Sequence, residues 1–108
     1  MPSTKSYLDY VLNQISDLKD ISFRPMMGEY IIYYHQKVVG GIYDDRLLLK
    51  PTKSALRILD STGIQRQMEL PYEGAKEMLV ADIDDSESIC QLIRAIAEDL
   101  PMPKQKNK

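Results

Sequence analysis

Only one cysteine, Cys90, and one histidine, His35, occur among the 108 residues. A lone cysteine excludes an intramolecular disulfide and fits a reducing compartment, so a cytoplasmic location is expected. A transition-metal site needs several converging Cys, His or carboxylate ligands. With His35 in a predicted turn and Cys90 far from it in sequence, neither a metal nor any other cofactor is expected. Positive charge is scarce as well: 14 Lys and Arg stand against 16 Asp and Glu, a formal net charge of −2. That balance exerts no pull towards nucleic acid or an anionic membrane, so direct nucleic-acid binding is not expected. No apolar run approaches the roughly 18 residues that a membrane-spanning helix requires, and the opening MPSTKSYLDY lacks the apolar stretch of a signal peptide. A phosphate-cradling loop is missing too. Gly28, Gly40 and Gly41 are not followed by the lysine and hydroxyl that such a loop places at a helix start.

What is present is a chain of single-domain size, 44% hydrophobic and 28% charged, which is the globular range. Leu8, Val11, Leu12, Ile15 and Leu18 recur at three- and four-residue spacing and predict a helix fading near Lys19–Asp20. Ser3 or Thr4 can cap its start. The period then changes. Ser22-Phe23-Arg24 reads as a short strand leading to Pro25, a residue that disfavours a central, fully paired position. Gly28 permits a bend or bulge. Tyr30–Tyr34 is a β-branched and aromatic run, His35-Gln36-Lys37 a turn, Val38–Tyr43 the return strand, Asp44-Asp45 a second turn and Arg46–Lys50 another strand. Turns this short make the pairing antiparallel.

Thr52 can cap a helix carrying Ala55, Leu56 and Leu59, closed by Gly63 in left-handed geometry. Residues 64–74 read as a loop with room for a short strand, and Lys76–Ala81 as the last strand. Ile89, Leu92, Ile93, Ile96, Ala97 and Leu100 hold strict helical spacing, with Asp84 and Glu87 resembling a capping box. Pro101 and Pro103 end that helix. The order is thus helix, three strands, helix, one or two strands, helix. This is an α+β domain over residues 1–103, with helices gathered on one face of an antiparallel sheet. Residues 104–108 form a basic tail expected to be disordered.

Candidate chemistry is sparse. Cys90 sits beside the apolar stripe of the last helix near Asp84, Asp85 and Glu87, which oppose a thiolate, so it reads as a packing residue. Asp44, Asp45, Asp82, Asp84 and Asp85 fall where turns and caps are expected. Gly40-Gly41 inside a strand predicts a bulge or a close approach of another backbone. Arg24-Pro25-Met26-Met27-Gly28 is less easily absorbed. An arginine beside two methionines on an irregular strand can hold an anion or a flexible partner surface. One methionine is expected in the core, and Arg24 at a partly exposed surface.

Read together, "RPMMGEY", "IYYHQKVVGGIYDDRLLLK", "PYEGAKEM" and a closing amphipathic helix resemble the TfoX N-terminal domain, found also in Sxy competence regulators. Arg24, Met27, Gly28, Leu47, Leu49, Lys50, Pro71, Tyr72, Ala75, Lys76 and Met78 stand at the family's motif positions, and the likeness runs from about residue 5 to 101. His35-Gln36-Lys37 replaces the Asp-Gly turn that members often carry. TfoX proteins commonly add a C-terminal domain, whereas this chain stops after Pro103 in a lysine tail, so a stand-alone N-terminal domain is expected. The resemblance implies regulation of competence genes together with the cyclic-AMP receptor protein, and brings no established catalytic residues.

The expected function is therefore a non-enzymatic regulatory domain that contacts a protein partner, a second copy of itself included. It would use the sheet edge or the Arg24–Gly28 bend. The candidate binding residues are Arg24, Met27, Gly28, Lys50, Tyr72 and Lys76, and no catalytic residue is assigned. The alternative is a small-ligand or enzymatic module in which Arg24, Lys50 and Lys76 converge as an anion clamp.

Overall fold

Thr4 opens the first helix by capping: its hydroxyl accepts a hydrogen bond from Tyr7 N–H at 3.1 Å, and α1 runs Lys5–Gln14. The computed structural model describes residues 3–63 and 65–101, so the tail at 104–108 lies outside the described residues. α1 ends earlier than its apolar spacing suggests. Ile15 and Leu18 remain buried, yet they sit in turns closed by Ile15 C=O accepting from Leu18 N–H at 3.0 Å. Asn13, Ser16 and Asp17 favour such local turns over a helix interior, and the chain must bend here to enter the sheet.

Four strands follow: β1 (Ile21–Met26), β2 (Glu29–Tyr34), β3 (Lys37–Ile42) and β4 (Leu47–Leu49). The count of three strands leaves out the short strand read at Ser22–Arg24, which is β1 and continues through Pro25 to Met26. It can do so because β1 is an edge strand, where a missing N–H breaks no ladder. Two connections are two residues long, Met27-Gly28 and His35-Gln36; the third spans residues 43–46 and turns at Asp44-Asp45, and all six of these turn residues have positive φ, from 52° to 86°. That is the mirror-image turn whose twist matches paired strands.

α2 (Lys53–Thr62) is capped by Thr52 and closed by Gly63 at φ 77°, as its sequence predicts. β5 (Met68–Glu69) and β6 (Met78–Val80) complete an antiparallel sheet of six strands ordered β1-β2-β3-β4-β6-β5. α3 (Ser86–Asp99) is capped by Asp85, which accepts from Ser88 N–H, one residue later than the Asp84–Glu87 reading. Asp84 is engaged elsewhere: its carboxylate accepts from the Tyr10 hydroxyl at 2.7 Å and so ties α1 to the start of α3.

All three helices cover one face of the sheet. Leu8 and Val11 of α1, Ala55 and Leu59 of α2, and Ile89, Ile93 and Ile96 of α3 form a single buried cluster. They pack on Ile32, Val39, Ile42, Leu47, Leu49 and Leu79. Each fully buried aliphatic chain contributes roughly 1.5–3 kcal/mol before entropy is subtracted. Cys90 is buried on α3, and burial pushes its thiol pKa up, consistent with packing. Leu48 is fully buried as well but stands outside that cluster. Its register partners are Gly41 and Val80, which places it on the opposite face of the sheet.

The paired glycines of β3 serve that geometry. A Cβ on Gly40 would stand 2.2 Å from Leu48 O, so β4 can approach only a glycine. A Cβ on Gly41 would meet Tyr30 O and the Tyr43 ring, each at 2.8 Å. The register also shifts between Ile32 and Tyr33. The close approach falls on the pair itself, whereas the bulge falls one residue before it, at Val39, which the register skips.

Candidate functional site

The six candidate residues separate into two groups. Arg24, Met27 and Gly28 lie at the β1–β2 hairpin. Lys50, Tyr72 and Lys76 line a cavity on the sheet face that the helices leave open.

At the hairpin, Met27 and Gly28 form the turn at φ 52° and 86°. Met27 is 97% exposed, with Met26 at 48% and Phe23 at 41% beside it on β1. Neither methionine enters the core. The turn thrusts Met27 outward, and an edge strand has no neighbour to cover Met26. Arg24 is exposed, opposite Ile31 in register. The mount is firm. Gly28 C=O accepts from Ser3 N–H at 2.9 Å. The Glu29 carboxylate accepts from Ser3 Oγ at 3.1 Å and Asp44 N–H at 2.8 Å. The Asp45 carboxylate accepts from Thr4 N–H at 2.9 Å. The segment before α1 thus ties two neighbouring turns together.

The cavity measures about 560 Å³. Its floor comes from Val38 and Gly40 of β3, Lys50 after β4 and Met78 of β6; its outer wall is Pro71, Tyr72, Ala75 and Lys76. Pro51, Thr52, Tyr43 and Glu77 complete the rim. Segment 70–77 is held across the sheet at its start. The Arg46 guanidinium donates to the Glu69 carboxylate, and more weakly to Leu70 C=O at 3.4 Å. The Tyr72 ring lies 6.3 Å from that of Tyr43, tilted by 55°. Burial, reinforced by Tyr72 and Glu29, pushes the Tyr43 hydroxyl pKa up, so it stays protonated and able to donate. Lys50 is fixed through its backbone: its N–H donates to Val39 C=O and its C=O accepts from Thr52 N–H. Among the described residues, no ion pair engages Lys50 or Lys76.

Arg24 does not join the two lysines. Its row of register partners runs Ile31, Gly41, Leu48, so three strand spacings, roughly 14 Å, separate it from β4. The three-residue anion clamp is therefore not formed. Sequence reading also missed Tyr43 as a wall of this cavity. Its signal was present: an aromatic ring two residues after Gly41 lies over that glycine.

The cavity contains no histidine or cysteine. His35 sits in its turn, Nδ1 3.2 Å from the Asp20 carboxylate. Among the described residues, no group of three metal-ligating side chains forms, and no helix is long and apolar enough to cross a membrane.

Residues 13–99 match the family model described as the TfoX N-terminal domain. The chain is also similar to a protein of Spirochaeta aurantia described as an uncharacterized 12.7 kDa protein in the 5' region of trpE. The two are 35% identical over 106 residues, spanning 96% of this chain and 89% of that one.

Proposed function

The chain belongs to the TfoX N-terminal domain family, which fits a regulatory role, and from that membership we propose a non-enzymatic domain that acts by holding another protein at the β1–β2 hairpin. The observation that carries this reading is Met27. A non-glycine residue in left-handed backbone costs roughly 1–2 kcal/mol, less for Asn or Asp. A long apolar side chain at 97% exposure gains nothing from burial. Met27 therefore breaks two local rules at one position, which is what a recognition residue does when its value lies outside the fold. Methionine is also adaptable, suiting a partner surface that repacks. Arg24 and Met26, on one face of β1, extend the patch with one cation and one apolar group.

The partner is a protein of the transcription machinery that controls competence genes, as the family's regulatory character supports, and the setting is the cytoplasm, as the free Cys90 supports. The test compares the native chain with Met27→Asn as baits in extracts of the native host. Asn suits the turn, so the variant folds at least as well. A partner retained by the native chain and lost with Met27→Asn supports the reading. Equal retention by both baits, or none by either, removes it.

A further inference from the structure

We propose that the cavity on the open face of the sheet is a binding site for a small organic monocarboxylate carrying a ring-sized apolar body. This goes beyond the hairpin reading and does not rest on it.

The lining dictates the ligand's chemistry. Lys50 and Lys76 both line the cavity, free of ion pairs among the described residues, and Tyr43, Pro71, Tyr72 and Met78 supply apolar surface on the same lining. Two lysines and Glu77 leave a formal charge of 2 − 1 = +1, which suits one negative charge better than the two of a phosphate monoester. The volume, about 560 Å³, lies within the roughly 300–1,000 Å³ of small-molecule sites. The Tyr43 hydroxyl adds a donor for a carboxylate oxygen. A flat apolar body fits against the tilted Tyr43 and Tyr72 rings.

Other hollows lack this combination. Near His35 one of two cations is already committed, Lys37 Nζ donating to Ala97 C=O at 2.8 Å, and the carboxylate of Glu98 stands on the same lining as the other, Arg94. The hollow between α2 and α3 has Asp82 and Asp85 as its charged lining, and Asp85 caps α3. The groove between α1 and β1 is lined by apolar residues and serines.

The test is a titration of the isotope-labelled full chain with 3-phenylpropionate, followed by amide-resolved NMR, with 3-phenylpropionamide and inorganic phosphate as controls. Saturable shifts are expected in residues 38–52 and 71–78. Binding should be weaker by about tenfold or more for the amide, for phosphate, and for the chain carrying both Lys50→Gln and Lys76→Gln. Lys19→Gln should bind as the native chain does, and unchanged melting of the double variant shows that its fold is kept. No saturable shift up to about 10 mM, equal binding of the amide or of phosphate, or undiminished binding by the double variant would overturn the proposal. So would a peptide ending in phenylalanine with a free carboxylate that binds more tightly than 3-phenylpropionate, since the site would then serve a chain terminus.

Discussion

Gly40 and Leu48 face each other across β3 and β4 so closely that a methyl group on Gly40 would lie 2.2 Å from the Leu48 carbonyl oxygen. The obstacle is backbone, which cannot rotate aside as a side chain can. Gly40→Ala is therefore expected to destabilise the protein by about 3 kcal/mol or more. Gly63→Ala, where no atom lies within 4 Å of the added carbon, should cost only about 1 kcal/mol, the left-handed backbone penalty. Urea denaturation of the two variants measures the difference; equal midpoints would show that β4 shifts freely.

The turn at His35-Gln36 holds two non-glycine residues at φ 52° and 66°. Gln36→Gly should raise stability by about 0.5 kcal/mol, the relief of strain outweighing the added freedom of the unfolded chain. A lowered urea midpoint would mean that the Gln36 side chain contributes more than its exposure implies.

Met27→Asn should leave stability unchanged or raise it by up to about 1 kcal/mol, since Asn-Gly is the preferred sequence for this turn. Thermal melting provides the measurement. A clear loss would show that Met27 supports the fold, and would withdraw the argument for recognition at the hairpin.

Asp99 accepts from Ser54 N–H at 2.8 Å and from Ser54 Oγ at 2.7 Å, bonds that hold its carboxyl below the ordinary carboxylate range. A depressed folded-state pKa gives stability that is present above the unfolded value, about 3.9, and is lost as pH falls through the folded value. Asp99→Asn should therefore melt below the native chain at pH 7 and converge with it in acid. A gap that persists at pH 2 would point to packing instead of charge.

Arg46 is the tie between the sheet and segment 70–77, reaching the Glu69 carboxylate, Leu70 C=O and Tyr43 C=O. Arg46→Ala should speed tryptic cleavage at Arg66 and Lys76 several-fold, with little change in cleavage within β1–β3. Uniform acceleration along the chain would mean that the residue supports the whole fold.

Much of this architecture was legible in sequence. Thr52 and Gly63 bracket α2 with residues whose capping chemistry is specific, and the isoleucines of α3 keep a period that only a helix buries. The end of α1 was not legible, because Ile15 and Leu18 continue the apolar spacing while the backbone turns away beneath them. Asp84 looked like a cap because its bond to Tyr10 spans 74 positions. The cavity was hidden for the same reason. Lys50 and Lys76 line one cavity only because β6 pairs with β4 and the 70–77 segment runs beside the join. Arg24 shares their chemistry but not their place, and only the register of β1 reveals that.

The two ends of the sheet carry a further consequence. At one end Pro25 interrupts the row of donors and Arg24 adds charge; at the other, β5 offers only two residues. Neither margin is a good template for another backbone, so filamentous or amyloid-like growth by strand addition is blocked at both.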